Sequence, residues 1–218
     1  MSPGLLYEGD WEMGSQAYLR YLVDEIHTAI VATVDDDGLP VTAAIDMMDC
    51  DEGGLYFLTA RGKRFYERLT RRGFIALTAL KGEETMTSVS LSVRGRVREL
   101  GPTKIPELFE KNPYMFQIYP TVESRSALTV FKIFEGTGEW FDLSKRPIER
   151  ASFSFGGAEE RREGYRIADT CIGCGSCVEV CPQNCIVADS VPYVIEQEHC
   201  LHCGNCMASC PVGAVERR

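Results

Sequence analysis

The sequence lacks any apolar run of the roughly 18–20 residues that a membrane-spanning helix needs, which argues against an integral membrane protein. It also lacks basic residues near its C-terminal end, since no Lys or Arg occurs from Ile167 to Glu216. Such a stretch would repel nucleic acid, because binding requires cations that release counterions from phosphates. Residues 1–14 have neither the basic flank nor the apolar core of a signal peptide. We therefore expect a cytoplasmic protein that contacts neither membrane nor nucleic acid.

The balance of charge is acidic, with 23 basic against 32 acidic residues and a net charge of −9. The stretch without basic residues carries six carboxylates: Asp169, Glu179, Asp189, Glu196, Glu198 and Glu216. A protein partner of this stretch is expected to present a basic patch.

Residues 1–154 carry the patterns of an α+β domain. In "SQAYLRYLVDEI" one helical face holds Tyr18, Tyr21, Leu22 and Ile26. Two apolar segments around "DDDG" predict a β-hairpin that turns at Gly38.

Further segments predict a short helix and more strands. "LYFLTA", "GFIALTAL" and the alternating "SVSLSVRGRVREL" each predict one strand. "KRFYERLTRR" predicts a helix with Phe65 and Leu69 inward, and residues 103–119 predict another helical stretch. "SALTVFKIFEGTGEWFDL" predicts two strands that separate near Gly136 and Gly138. Six or seven short strands with few helices suggest a closed β-barrel.

The polar, glycine-bearing residues 155–163 predict a linker to residues 164–218, which contain an internal repeat. "CIGCGSCVEVCP" from Cys171 recurs as "CLHCGNCMASCP" from Cys200. Three cysteines spaced by two residues, then a fourth followed by proline, form the bacterial iron–sulfur run. Gly173, Gly175 and Gly204 would let each cysteine loop turn sharply, and we expect each fourth cysteine to start a helix.

In such runs the fourth cysteine ligates the other cluster. The predicted ligands of cluster I are Cys171, Cys174, Cys177 and Cys210. The predicted ligands of cluster II are Cys200, Cys203, Cys206 and Cys181. Zinc is the alternative, because paired C-x-x-C units also build zinc ribbons, although zinc has no use for the duplicated third cysteine.

Residues 164–218 resemble the two-cluster bacterial ferredoxins over nearly their whole length, including the flanking strands "GYRIADT" and "PYVIEQE". This resemblance implies two [4Fe–4S] clusters. Cys185 lies outside the ligand set and is either a buried small residue or a spare ligand. Cys50 is interpreted as structural, and His199 and His202 as solvent-side neighbours that tune the cluster.

Roughly residues 15–145 resemble the pyridoxamine 5′-phosphate oxidase-like family of FMN-binding split barrels, through "GLPVTAAIDMM", "DCDEGG" and "LYFLTARGKRFYERL". The resemblance implies a homodimer with FMN in clefts at its interface. The implied FMN-binding residues are Ala43, Ala44, Ile45 and Asp46 along the flavin, and Leu58, Thr59, Arg61, Lys63 and Arg64 at the phosphate. Ala43 replaces the arginine of typical oxidases, which implies a substrate other than pyridoxamine phosphate.

The residues themselves support a phosphate site, because a hydroxyl, free amides at a helix N-terminus and several cations converge on one turn. A merely solvated basic turn is the alternative. Together these patterns predict a flavo-iron–sulfur oxidoreductase from an organism that lives at least partly without oxygen. It would pass electrons between two [4Fe–4S] clusters and FMN and reduce a small molecule. Alternatives are an electron relay between redox proteins, a nitro or flavin reductase, and a sensing or storage module. No catalytic side chain is assigned.

Overall fold

A computed structural model describes residues 14–160 and 163–218 of the chain. The N-terminal segment and two arginines of the expected linker, Arg161 and Arg162, lie outside the described residues. No helix in the described ranges is both long and apolar enough to cross a membrane.

The first domain is built mainly of antiparallel strands, as its alternating sequence predicts. Its strands are β1 (Thr28–Val34), β2 (Pro40–Asp46), β3 (Asp49–Asp51), β4 (Gly54–Ala60), β5 (Phe74–Lys81), β6 (Val89–Gly101), β7 (Leu128–Asp142) and β8 (Glu149–Phe155). Its helices are α1 (Ser15–Tyr21), α2 (Arg64–Arg72), α3 (Ile105–Lys111), α4 (Met115–Ile118) and α5 (Val122–Arg125). A π-helical turn, Leu22–Ile26, extends α1, and a 3₁₀ turn spans Thr85–Thr87.

All eight strands of this domain form one sheet in the order β2-β1-β5-β6-β7-β4-β3, with β8 also paired to β7. The predicted hairpin is confirmed, since β1 pairs with β2 and Gly38 turns with φ of 82°. The split barrel that the resemblance implies is confirmed, whereas the full closure that the number of strands suggested is not observed among the described strands. The two ends of the path, β2 and β3, share no ladder in the described chain, so the barrel is split.

The expected break between two strands near Gly136 and Gly138 is also wrong, because β7 runs unbroken for 15 residues. Both glycines lie inside its ladder with β6. They are needed for packing, since a Cβ at Gly138 would fall 2.2 Å from the ring of Phe153. The first part of β7 pairs with β4 and the last part with β8. One long strand therefore joins both halves of the barrel.

Two apolar cores stabilise the barrel. The larger fills its interior and includes Phe65 and Leu69 of α2, as predicted. The smaller packs α3 and α4 against β4 and β7 through Leu108, Phe109 and Val130. The strand β8, which was not predicted, adds Phe153 and Phe155 to the larger core. Because Phe155 closes β8, the expected linker begins only after it.

The C-terminal domain has little regular structure. Its elements are β9 (Tyr165–Ile167), α6 (Ser176–Glu179), β10 (Ile186–Val187), β11 (Val194–Ile195), a 3₁₀ turn (Gln197–His199), α7 (Asn205–Ser209) and β12 (Val215–Arg217). β9 pairs with β12, and β10 with β11. The expectation that each fourth cysteine starts a helix is wrong, since Cys181 and Cys210 follow α6 and α7. The prolines after them therefore stop helices rather than begin them.

Candidate cofactor sites

The eight cysteines of the two runs line two separate cavities. Among the residues around the first are Cys171, Cys174, Cys177 and Cys210. Among those around the second are Cys181, Cys200, Cys203 and Cys206, joined by Cys185. The chain thus brings three cysteines of each run together with the fourth of the other run, the grouping that the sequence predicts. Ligation itself remains a prediction.

Backbone groups at both cavities are arranged to hold cluster thiolates. The amide of Gly173 donates to Cys171 Sγ at 3.5 Å, and the amide of His202 donates to Cys200 Sγ at 3.4 Å. Gly173 and His202 occupy equivalent places in the two runs and share a left-handed backbone, with φ of 68° and 56°. A non-glycine residue rarely adopts this conformation, so the loop imposes it on His202. The repeated geometry fits [4Fe–4S] clusters, whose sulfurs accept such hydrogen bonds.

The fifth thiol of the second cavity belongs to Cys185. Its side chain is almost fully buried, and its Sγ lies 3.5 Å from Cys181 Sγ. Burial raises the pKa of the Cys185 thiol, with the neighbouring Cys181 as a further cause. This placement agrees with the interpretation of a buried small residue and also leaves Cys185 within reach of the cluster. Cys50, in contrast, is buried in the barrel core, where burial raises its pKa to about 11.

The two histidines beside Cys200 are not on the solvent side, so that expectation is wrong. His199 Nδ1 lies 2.8 Å from the carbonyl oxygen of Ile148 in the barrel domain. His202 is half-buried, and its Nε2 is inaccessible and has no hydrogen-bond partner among the described residues. Burial lowers the pKa of His202.

The predicted phosphate turn follows β4. Thr59 is buried near the end of that strand, and its hydroxyl has no partner among the described residues. An unpaired buried hydroxyl is costly, which is a reason to expect a ligand oxygen there. The helix α2 begins five residues later, after Lys63 in extended conformation, and its first amides are free to bind an anion. These features fit a phosphate group such as that of FMN.

The cations of this turn divide into two groups. The Arg61 guanidinium donates to the carbonyl oxygens of Ser126 and Leu128, so it holds the turn against the start of β7. Its contacts therefore give no support to the predicted role at the phosphate. Lys63 and Arg64 are exposed at the start of α2 and are the cations left to face an anion.

The predicted flavin strand is β2, an edge of the sheet. Ala43 and Ile45 pack on the larger core, whereas Ala44 points outward and is exposed. The chain after β2 joins β4 where the amide of Met48 donates to the carbonyl oxygen of Tyr56 at 2.8 Å. Thr59 is three residues further along β4, or roughly 10 Å at the usual strand rise. The flavin strand and the phosphate turn thus lie on neighbouring parts of the barrel.

A hydrogen-bonded chain that sequence reasoning missed ends on Asp46. Tyr114 OH donates to Asp46 Oδ2 at 2.7 Å, while His27 Nε2 lies 2.9 Å from Tyr114 OH. Thr28 Oγ1 donates to the other carboxylate oxygen at 2.7 Å. Because Tyr114 OH donates to the carboxylate, it accepts from His27, whose Nε2 must carry the proton. Burial and the Asp46 carboxylate raise the pKa of Tyr114.

His27 has an unusual backbone, with φ of 69° directly after the π-helical turn. This conformation costs energy for a residue with a Cβ, so it needs support from its surroundings. His27 and Tyr114 are 87 positions apart in sequence, so no local motif could have linked them. The side chains are half-buried, and the chain His27–Tyr114–Asp46 can hold or pass a proton at the end of the flavin strand.

Comparison with known proteins agrees with both domains. Residues 16–144, more than half of the chain, match the family model for pyridoxamine 5′-phosphate oxidase. The chain therefore belongs to this family of FMN-binding split barrels. Residues 170–214 match the model for a 4Fe-4S dicluster domain, so the C-terminal domain is of the ferredoxin type. The combination indicates a redox role.

Two of the individual proteins that are similar to the chain agree with this assignment. A pyridoxine/pyridoxamine 5′-phosphate oxidase from Mycolicibacterium gilvum (strain PYR-GCK) is 26% identical over 160 residues, which cover 65% of this chain and 70% of that protein. The crystal structure of a NimC/NimA family protein from Clostridium acetobutylicum superposes with a TM-score of 0.52 and 17% identity. It covers 64% of this chain and 92% of that one, and it supports the fold.

Proposed function

We propose that the protein is an oxidoreductase that passes electrons between two [4Fe–4S] clusters and FMN and reduces a small-molecule acceptor. The observation that carries this proposal is the union of two kinds of site in one chain. Eight cysteines surround two cavities in a crossed pattern, and the barrel has a phosphate turn with the unpaired Thr59 hydroxyl. When bound, the clusters exchange single electrons and FMN exchanges one or two, which links one-electron donors to two-electron acceptors.

The chain's own residues would bind and orient these groups. Lys63, Arg64 and the first amides of α2 would hold the phosphate, and β2 would support the ring system through its backbone. His27 and Tyr114 would keep a proton beside Asp46 for an acceptor that needs one. The function requires no nucleophilic side chain, because the cofactors supply the electron chemistry.

The test is anaerobic purification followed by measurement of flavin and iron per chain and of acceptor reduction. We expect one FMN and about eight iron atoms per chain, because two four-iron clusters are predicted. Reduction of a panel of small acceptors by a one-electron donor should then depend on both cofactors. A protein that contains iron but no flavin, even after incubation with FMN, would contradict the proposal.

A second candidate, an electron relay between protein partners, is favoured by the surface of the cluster domain. From Ile167 to Glu216 this domain has six carboxylates and no basic residue, a composition suited to a basic redox partner. The two candidates differ in turnover. A relay would reduce a partner protein and leave every small acceptor unchanged, including nitro compounds and free flavin.

We also propose that the barrel forms a homodimer. The outer faces of β1 and β5 expose Ile30, Phe74 and Leu80, which are between 49% and 62% accessible. These exposed apolar side chains lie along one face of the sheet, which indicates a buried interface. Replacing Ile30 by aspartate should yield monomers in sedimentation and weaken FMN binding. Val122→Asp, at an exposed position on α5, is the matched control and should remain dimeric.

A further inference from the structure

The barrel and the cluster domain meet at one end of β8. The amide of Ile148 points to Gln183 Oε1 at 3.5 Å, and its carbonyl oxygen lies 2.8 Å from His199 Nδ1. Two residues further on, the Arg150 guanidinium donates to the carbonyl oxygen of Cys200 at 3.3 Å. Ile148 itself is almost fully buried at this junction. The two domains are therefore joined by hydrogen bonds around a buried side chain.

All three contacts fall on one side of the cluster domain. Gln183 and Cys200 line the second cavity, and His199 is adjacent to Cys200. The residues that line the Cys171 cavity take no part in these contacts. That cavity is bordered instead by Ile172, which is 63% accessible. The second cavity is thus the one against the barrel.

Arg150 is held firmly at this junction. It lies on β8 opposite Phe141, and its guanidinium stands 5.1 Å from the centre of that ring. Only 19% of its side chain is accessible, and its Nη2 pairs with Glu139 Oε2 at 3.8 Å. A half-buried cation therefore faces the backbone of a predicted ligand of cluster II, in an environment that screens charge poorly.

We propose that the cluster in the Cys200 cavity is the barrel-side cluster and that Arg150 raises its reduction potential relative to the cluster in the Cys171 cavity. The physical reason is that a nearby cation stabilises the cluster after it has gained an electron, and local charge and hydrogen bonds set cluster potentials. This proposal rests on the cofactors of the proposed function, but it can be tested without any turnover of an acceptor. The proposal and the proposed function can therefore fail separately. Arg150 would act on the cluster indirectly, because its guanidinium contacts the backbone carbonyl of Cys200.

The experiment compares single-cluster variants of the full-length holoprotein in redox titrations followed by electron paramagnetic resonance. Cys174→Ala should leave only the cluster of the Cys200 cavity, and Cys203→Ala should leave only the cluster of the Cys171 cavity. In the Cys174→Ala background, Arg150→Gln should lower the equilibrium constant for reduction at least tenfold, which is 59 mV for one electron. In the Cys203→Ala background the same change should leave the potential within error.

Two further variants separate charge from folding. Arg150→Lys keeps the charge and should restore most of the potential. Arg166→Gln removes a charge of the same sign from an exposed arginine paired with Glu216 and should shift neither cluster. A shift confined to the Cys203→Ala background, or an equal shift from Arg166→Gln, would overturn the proposal. Unshifted potentials in a protein that reduces acceptors would also overturn it, while the proposed function would stand.

Discussion

The two domains of this protein are stabilised in different ways. The barrel encloses a large apolar core that includes Phe57, Leu91 and Phe131. In the cluster domain, eight buried residues form the described core, and half of them are cysteines. Its strands have only two or three residues each. A domain with so little apolar burial depends on metal–thiolate bonds for its free energy of folding.

Because of this difference, cofactor binding and folding are related differently in the two domains. In the cluster domain, folding and cofactor binding are expected to depend on each other, because cysteines make up half of the described core and all of these except Cys185 are predicted to bind iron. In the barrel, we expect the fold to form without FMN, because the predicted binding residues lie on strands and turns that the apolar core already holds in place. Removal of each cofactor should therefore have unequal structural effects.

The largest effect is expected from removing iron. Anaerobic treatment with a strong chelator should unfold residues 164–218 and leave the barrel folded, because the apolar core of the former is small and half of its residues are cysteines. Hydrogen exchange measured by mass spectrometry would show loss of protection in β9 to β12 and retained protection in β5 to β7. Protection that persists in the cluster domain after iron is removed would contradict this account.

The next effect concerns the crossed fourth cysteines. Cys181→Ala should lower the iron content from about eight to about four atoms per chain, because one of two four-iron clusters is lost. Adding Cys203→Ala should remove no more iron, whereas adding Cys174→Ala should remove the rest. The reverse pattern would mean that Cys181 serves the cavity of its own run.

Cys185→Ala is the matched control for Cys181→Ala, since both thiols lie in the second cavity 3.5 Å apart. It should retain both clusters. If Cys181→Ala keeps its iron and the double variant loses half, Cys185 replaces Cys181 as a ligand.

Sequence predicted the cluster domain well because its information is local. The spacing from Cys171 to Cys181 already specifies a loop, and Gly175 adopts the left-handed conformation expected of a tight turn, with φ of 83°. The order of helix and proline was predicted wrongly. The short helices come before Cys181 and Cys210, since the loop must first return to the neighbouring cavity.

The barrel shows where local information ends. Periodicity predicted β1, β2, β5 and β6, whose inner faces are apolar. It failed at β7, because Gly136 and Gly138 signal a turn in isolation but make room for Phe155 and Phe153 of β8. The His27–Tyr114–Asp46 chain and the Arg150 contact depend on tertiary packing, so no sequence pattern could reveal them.

A smaller effect is expected at the phosphate turn, where the barrel should lose its ligand but not its fold. Lys63→Ala removes a charge-assisted contact of about 1.5–3 kcal/mol, so FMN affinity should fall roughly 10- to 100-fold. Fluorescence titration with FMN measures this change. Arg71→Ala, at the opposite end of α2, is the matched control and should bind FMN normally. Unchanged binding after Lys63→Ala and Arg64→Ala together would place the flavin elsewhere.

The smallest effect is expected from the ion pair between Lys132 and Asp51, which would add to the stability that the barrel gains from its apolar core. Lys132 on β7 is 8% accessible, and its Nζ lies 2.9 Å from Asp51 Oδ1, while Tyr56 OH donates to Asp51 Oδ2. Burial alone would raise the pKa of Asp51, but the hydrogen bonds from Tyr56 and Lys132 outweigh it and hold this pKa below its usual range.

A lowered carboxyl pKa stabilises the fold above the unfolded value of about 3.9 and loses this contribution as pH falls through the folded value. Asp51→Asn should therefore lower the free energy of unfolding by about 1 kcal/mol at pH 7, since Asp51 is half-exposed and Lys132 loses its counter-ion. This loss of unfolding free energy should be smaller in acid, because protonation of Asp51 weakens the same interaction in the unsubstituted protein. Denaturant titrations at pH 7 and pH 3, followed by the fluorescence of buried Trp140, measure both values. As a control, Asp36→Asn breaks the exposed ion pair with Arg71 and should leave the free energy of unfolding unchanged at both pH values. If Asp36→Asn lowers this free energy as much as Asp51→Asn does, the burial of Lys132 does not explain the effect.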